Sequence, residues 1–190
     1  FSFFFLLPSD FSSFSKSVIS VVAFSSNFLF WQESGYFDLE AEFKPLLHTW
    51  SLAVEEQYYI LFPIFILVFI KFGNKFIFYS LIFIFLFSLT LASLGSMSMP
   101  VASFYLLPTR GWEILLGSLC AYLVHFKIII GHKKSINALS LIGFVLILVS
   151  MFTFNKNTPT PSLYTLMPTI GAALIILFAS KGTLVNSVLS

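Results

Sequence analysis

Charged side chains are scarce in this chain of 190 residues. Asp, Glu, Lys and Arg together make up 9% of it, against roughly a quarter in a soluble domain, and the mean hydropathy is +0.96. So few charges cannot cover the surface of a water-soluble globule, and a net charge of +2 leaves no basic stripe for nucleic acid. The composition therefore excludes a cytosolic enzyme, a nucleic-acid-binding domain and a disordered chain.

Cysteine and the common ligand-binding motifs are also scarce. Cys120 is the single cysteine, which excludes an internal disulfide framework and a cysteine-based metal cluster. The sequence has no paired metal-ligand histidines, no glycine-rich phosphate loop of the P-loop type and no G-x-S-x-G. We therefore expect no metal site, and we expect Cys120 to serve in packing.

Long apolar segments dominate what remains. A helix of about 19 residues is roughly 28 Å long, close to the hydrocarbon thickness of a bilayer. A weaker segment, 18–31, carries several serines and Asn27, and it is either a full span that starts near Phe11 or a re-entrant or interfacial helix. The sequence predicts an all-α, polytopic transmembrane bundle with about five to six spans. The five clear spans are 52–70, 76–94, 112–130, 136–154 and 163–180.

The lysines predict an orientation if the five clear spans alternate. Cytoplasmic loops carry an excess of Lys and Arg, so the richer side is expected inside, and the acidic loop 32–51 outside. The richer side holds Lys71, Lys75, Lys127, Lys133, Lys134 and Lys181, and the other side holds Lys44, Arg110 and Lys156.

The most informative motif enters the first clear span. It reads His-Thr-Trp-Ser-Leu-Ala-Val-Glu-Glu-Gln-Tyr-Tyr over residues 48–59. An acid at the middle of a transmembrane helix costs roughly 2.5–3.5 kcal/mol, and less near the interface. Because such residues usually face a cavity or a partner, Glu55 and Glu56 are candidates for a functional site.

Helical spacing sorts the polar residues of this motif by face. His48 and Glu55 are seven residues apart, two turns along one face, and Ser51 and Tyr59 join that face. Glu56 lies about 100° around the helix from Glu55. The spacing therefore aligns one carboxylate with the imidazole and directs the other elsewhere.

A purely structural interpretation of the same residues stays open. Acids in a first turn complement the helix dipole, so Glu55 and Glu56 could serve there. Ser51 or Thr49 could be the N-cap, and Trp50 could anchor the helix in the aromatic belt. Spacing alone does not choose between capping and a catalytic or binding site.

A second motif spans residues 104–113. Pro108 announces a helix start, which places Arg110 in a first turn, where the helix dipole disfavours a cation. An anionic partner should compensate. Glu113 at i+3 is the near candidate, and a ligand phosphate or Glu55 is the other. Alternatively, Arg110 is an interfacial arginine that snorkels and pairs with Glu113.

Together these segments resemble a known family. The run 48–59, followed by Leu-Phe-Pro at 61–63, resembles the signature of the membrane acyltransferase type 3 family, the O-antigen and exopolysaccharide O-acetylases. Segments 26–31 with 34–38, and 104–117, are similar to further blocks of that family in order and spacing.

The resemblance implies a bundle of transmembrane helices in the bacterial inner (plasma) membrane. Such a bundle takes an acyl group from acetyl-CoA, or another acyl-CoA, and places it on a glycan or a lipid-linked saccharide such as the O-antigen of lipopolysaccharide. It implies no metal and no nucleic acid. The family's N-terminal helix, with a basic residue and a spaced histidine, has no counterpart here. We therefore expect 1–190 to be part of one integral-membrane acyltransferase domain, truncated at the N-terminus and at the C-terminus.

Acyl transfer assigns roles to the candidate residues, since it needs a base for the hydroxyl proton and a grip on the donor. Glu55, assisted by His48, would orient or deprotonate the acceptor, and Arg110 would bind a phosphate or carboxylate. The candidate catalytic residues are His48, Glu55 and Glu56. The candidate substrate-binding residues are Arg110, Glu113, Trp50, Ser51 and Tyr59.

Two other classes of function fit the same sequence. A transporter or flippase of lipid-linked saccharide would also need intramembrane acids and a kinked helix, and it should show paired broken helices in two related halves. A non-catalytic membrane fragment of a split gene is the other.

Overall fold

The computed structural model describes residues 8–34, 46–128, 133–155, 158–180 and 182–189. Within these ranges the regular structure is entirely helical, as the composition predicts, with two 3₁₀ turns at Ile70–Phe72 and Leu163–Thr165. The α-helices are α1 (Pro8–Val22), α2 (Ser26–Ser34), α3 (Thr49–Phe69), α4 (Asn74–Ser98), α5 (Pro100–Tyr105), α6 (Leu107–His125), α7 (Lys133–Thr153), α8 (Leu166–Phe178) and α9 (Leu184–Leu189).

Three helical stretches in the described part of the chain are long and apolar enough to cross a membrane: Thr49–Phe72, Asn74–Ser98 and Ser135–Thr153. These stretches contain nearly all residues of the predicted spans 52–70, 76–94 and 136–154. Helix α6 has 19 residues, but Arg110 and Glu113 lower its hydropathy, and α8 has only 13 residues. The count of five to six spans therefore stays a prediction.

The weak segment 18–31 is not one continuous helix. It is divided between α1, of 15 residues, and α2, of 9 residues. At the break Phe24 has φ of 52°, a left-handed conformation that is uncommon for a bulky side chain. A single straight span from near Phe11 is therefore wrong, because each helix alone is shorter than the roughly 20 residues that a span needs.

The apolar core lies where α3, α4 and α6 meet. Its buried members are Tyr58 of α3, Ile77 and Leu81 of α4, and Leu115 and Leu119 of α6. Residues near the start of α4 thus pack against the later turns of α6, which makes these two helices antiparallel. The core fixes the position of the α6 N-terminus, where the second motif lies.

Helices α7 and α8 cross at two glycines. A Cβ atom added to Gly143 would lie 2.7 Å from the carbonyl oxygen of Gly171, and the converse distance is also 2.7 Å. Small residues at such a crossing let two backbones approach closely. From the sequence we expect Gly117 of α6 to allow a close helix contact as well, but a Cβ atom there would meet nothing within 4 Å.

The remaining expectations fall partly outside the structure. Cys120 is buried, in agreement with a packing role. Most of the acidic loop, over residues 35–45, lies outside the described residues, as does His132. Lys44, Lys156 and Lys181 also lie outside them.

Candidate functional site

The two adjacent acids of the first motif lie in the second turn of α3. The helix begins at Thr49, and its first turn holds no acidic residue. The favourable effect of the helix dipole on an anion falls off within the first turn. The dipole interpretation of Glu55 and Glu56 is therefore wrong.

The hydroxyl groups at the start of α3 do not cap it. His48 takes the N-cap position, and no side chain accepts a hydrogen bond there. The Thr49 Oγ1 atom donates to the carbonyl of Leu46 at 2.6 Å, and Ser51 Oγ donates to the carbonyl of His48 at 3.3 Å. Because these hydroxyls act as donors, the N-cap prediction for Ser51 or Thr49 is wrong.

The polar face that the spacing predicts on α3 is the more exposed one. His48, Glu55 and Tyr59 are exposed and Ser51 is half-buried, whereas Tyr58, about 60° around the helix from Glu55, is buried in the core. Glu56, about 100° around the helix from Glu55, is half-buried. The carboxylates of Glu55 and Glu56 make no hydrogen bond or ion pair with any residue that the structure describes.

Arg110 connects the second motif to the first. Its guanidinium carbon lies 5.1 Å from the ring centre of Trp50 in α3 and 5.4 Å from that of Phe104 in α5. The two rings lie 4.6 Å apart, and Tyr105 contacts Trp50 edge-on at 5.3 Å. Cation–π contacts of this kind contribute about 0.5–2 kcal/mol, more when they are desolvated. The structure thus brings Trp50 and Arg110, sixty positions apart, into one aromatic cage.

Glu113 is the counter-ion of Arg110. The Arg110 Nη2 atom lies 3.5 Å from Glu113 Oε2, and the two side chains are 21% and 25% exposed. The prediction that Glu113 is the anionic partner of Arg110 is therefore confirmed. Glu55 is not the partner, since within the described ranges Arg110 forms an ion pair only with Glu113. Among the residues that the structure describes, the other in-plane N–H donors of the guanidinium have no acceptor, so they can bind a ligand anion.

A buried polar network, which the sequence pattern did not predict, supports the cage. Asn27 Nδ2 donates to the carbonyl of Tyr105 at 3.2 Å. Gln57 Nε2 donates to Asn27 Oδ1 at 2.9 Å and to the carbonyl of Phe24 at 2.8 Å. Asn27 is fully buried, so each of these bonds avoids an unsatisfied polar group.

A buried hydroxyl joins two of the same helices. Ser26 Oγ donates to the carbonyl of Thr49 at 3.0 Å, and Ser26 is also fully buried. The start of α2 is thereby tied to the start of α3. The sequence does carry a signal for these contacts: Ser26 and Asn27 are adjacent inside an apolar segment, where polar side chains need hydrogen-bond partners.

Metal ligands are not clustered in the described part of the chain: no group of three His, Cys, Asp or Glu side chains could hold an ion there. In that part of the chain, the features that can act chemically are Glu55 and Glu56 of α3, which have no partner there, and Arg110 of α6.

Comparisons with known proteins give two similarities. The chain is 34% identical over 184 residues to an uncharacterised protein of Haemophilus influenzae, across 92% of this chain and 75% of that protein. It is 29% identical over 154 residues to proteins of Staphylococcus aureus strains COL and MSSA476 that are provisionally named O-acetyltransferases. That alignment covers 74% of this chain but only 25% of each Staphylococcus protein. No protein-family profile and no solved structure matches the chain.

Proposed function

The chain belongs to the same family as the uncharacterised Haemophilus influenzae protein, and from this premise we propose that it forms part of a membrane O-acyltransferase. The reaction moves an acyl group, most simply acetyl, from a coenzyme A thioester to a hydroxyl of a cell-surface glycan or lipid-linked saccharide. The similarity to provisionally named O-acetyltransferases supports the reaction type. The three helices long and apolar enough to span support a membrane location, for which we propose the bacterial inner membrane.

The observation that carries this proposal is the cage in which Trp50 and Arg110 meet. It joins the two motifs on which the resemblance to the membrane acyltransferase type 3 family depends. A guanidinium held by two rings and Glu113 offers in-plane donors to an anion, and such a fork fits phosphate oxygens. We assign Arg110 to a phosphate of the substrate, on the donor or on a lipid-linked acceptor.

Glu55 and His48 take the acid–base role in this proposal. The acceptor oxygen attacks the thioester carbonyl, so a C–O bond forms and the C–S bond breaks. The hydroxyl proton passes to the Glu55 carboxylate, with His48 on the same helix face, and then to the departing thiolate. Glu56, Ser51 and Tyr59 shape the surface on which the acceptor lies. The chemistry needs acyl-CoA as donor and no metal.

Glu55→Gln in the full-length parent protein tests the assignment. The substitution keeps the shape of the side chain and removes its charge. Loss of a general base lowers rates by about 10²- to 10⁴-fold, so glycan acetylation should fall by that factor while the protein inserts at normal levels. Acetylation is measured by mass spectrometry of the isolated glycan, and protein amount by immunoblot of the membranes.

Lys71→Gln is the matched control, because it removes a charge from the far end of the same apolar stretch. It should leave acetylation unchanged. Normal acetylation by Glu55→Gln at a normal protein level would return this acid to a structural role. Loss of the glycan itself from the cell surface, rather than of its acetyl groups, would favour a transporter or flippase.

A further inference from the structure

An apolar cavity of about 350 Å³ lies between α3, α4 and α6. For comparison, an apolar cavity of about 150 Å³ stays dry and binds benzene. The volume is therefore large enough for a longer stretch of hydrocarbon. The side chains that line it include Tyr58 and Phe62 of α3, Leu81 and Ser88 of α4, and Pro108 and Leu115 of α6.

The polar groups in the cavity wall are already satisfied within the protein. Ser88 Oγ donates to the carbonyl of Pro108 at 2.6 Å and accepts from the backbone N–H of Trp112 at 3.0 Å. The hydroxyl of Tyr58 lies 2.6 Å from Ser118 Oγ. Because water in a cavity needs two to four polar partners, and a polar ligand would also find few, the occupant that fits is hydrocarbon.

The cavity opens sideways between α3 and α4. Leu61 and Phe87 both line it, and their exposed fractions are 55% and 57%. Both belong to stretches that are long and apolar enough to span. Where such stretches cross a bilayer, their exposed apolar side chains meet its hydrocarbon, so a lipid chain can reach the cavity without crossing water.

The caged cation is carried by the same turns of α6 that line the cavity. Leu107, Pro108 and Gly111 line it, and they flank Arg110 in the first turns of α6. The rings of Trp50 and Phe104 lie against the guanidinium, and within the described ranges its in-plane donors have no partner beyond Glu113. A positive charge next to an otherwise apolar site is complementary to a ligand with an anionic head and an apolar chain.

We propose that this cavity binds the hydrocarbon chain of a membrane lipid phosphate, whose phosphate group contacts Arg110. The binding site goes beyond the proposed function and does not require it. If the proposed function also holds, the acceptor is lipid-linked rather than a free glycan, and that consequence rests on the proposed function.

Photolabelling of the full-length protein in detergent micelles tests the proposal. The probe is hexadecyl phosphate with a diazirine in the middle of its chain, and the matched probe is the corresponding alcohol. After irradiation, mass spectrometry of peptides locates the adducts. We expect adducts of the phosphate probe at cavity residues such as Phe62, Leu81 and Leu115. Unlabelled hexadecyl phosphate should compete with the probe, whereas inorganic phosphate should not.

Two variants separate the chain site from the head-group site. Leu115→Trp fills the cavity and should reduce labelling there at least fivefold, whereas Leu94→Trp, at an exposed position of α4 outside the cavity, should leave it unchanged. Arg110→Gln should weaken binding of the phosphate probe about tenfold, the size of one charge-assisted hydrogen bond. It should leave labelling by the alcohol as it was, and this comparison stands even if Leu115→Trp does not fold.

Adducts spread over the exposed apolar surface, with no difference between phosphate and alcohol, would overturn the proposal. Cavity labelling that Arg110→Gln does not weaken would overturn the assignment of the head group. Labelling does not depend on turnover. A protein that is labelled but does not acetylate contradicts the proposed function alone, and an active protein without cavity adducts contradicts the lipid site alone.

Discussion

Arg110 is held by three side chains that come from two different parts of the sequence. Glu113 is one turn along the same helix, whereas Trp50 and Phe104 belong to α3 and α5. The ion pair neutralises the cation where the helix dipole disfavours it, and the two rings restrict the space open to the guanidinium. The plane of the guanidinium matters because an arginine fork binds an anion through two parallel N–H donors.

Arg110→Lys should therefore weaken binding of the anionic substrate, although the substitution keeps the positive charge. Lysine has a single ammonium group, which cannot reproduce the fork or the stacked plane. We expect KM for the anionic substrate to rise about tenfold or more, with a smaller effect on kcat, because a binding contact is lost. Acetyl transfer from radiolabelled acetyl-CoA in membrane vesicles measures both constants. An unchanged KM would show that Arg110 contacts no substrate anion. The mildest substitution to compare with it is Trp50→Phe, which keeps an aromatic ring beside Arg110.

At the scale of the elements, the start of α3 depends on its ties to α2 and α5. Helices α2 and α5 are short, with 9 and 6 residues, so tertiary contacts rather than intrinsic propensity hold them. The buried side chains of Ser26 and Asn27 provide those contacts. The break between α1 and α2 at Phe24 directs the side chains of Ser26 and Asn27 into the protein. At this break the side-chain amide of Gln57 donates a hydrogen bond to the carbonyl of Phe24.

Asn27→Ala should destabilise the protein measurably. It leaves the Tyr105 carbonyl without its donor and deprives Gln57 of an acceptor. An unsatisfied buried group costs about 1–3 kcal/mol. The free energy of unfolding of the purified protein in detergent should fall by that amount. Ser98→Ala removes only an exposed bond to Leu94 within α4, and it should have no measurable effect. Equal stability of the two variants would contradict the role of the network.

The two glycine environments give a matched pair of substitutions. Gly143→Ala places a Cβ atom 2.7 Å from a backbone oxygen of α8, so the helices must separate and Tm should fall. Gly117→Ala meets open space in the interior of α6, and it should stabilise by about 0.5–1 kcal/mol because alanine favours the helix. Thermal unfolding in one detergent compares them directly, and a Tm change of the same sign in both would contradict the crossing.

At the scale of the whole molecule, the distribution of lysines predicts which ends of the spans face the cytoplasm. Residues Asn74, Ser135 and Thr160 are exposed at helix ends or between helices. In a Cys120→Ser background, single cysteines at Asn74 and Ser135 should be shielded in intact cells from a thiol reagent that does not cross membranes. A cysteine at Thr160 should react. Labelling in the reverse pattern would invert the orientation.

The sequence alone determined the helices and the contacts within a helix. Uncharged apolar runs such as 76–94 and 136–154 have no stable alternative to a helix when apolar surroundings offer no hydrogen-bond partners, and the structure forms α4 and α7 there. The pair Arg110–Glu113 was predictable because the i,i+3 spacing of a helix fixes it. The clustering of exposed polar residues on one face of α3 was predictable for the same reason.

Only the tertiary structure decided which side chains from different helices meet. Three features depend on where helices cross. They are the contact between Trp50 and Arg110, the hydrogen bonds that join Asn27 with Gln57 and with Tyr105, and the cavity beside Leu115. Hydropathy cannot specify a crossing, since one apolar face packs as well against another. The crossing is set by small residues and buried polar pairs, whose partners lie tens of positions away in the sequence.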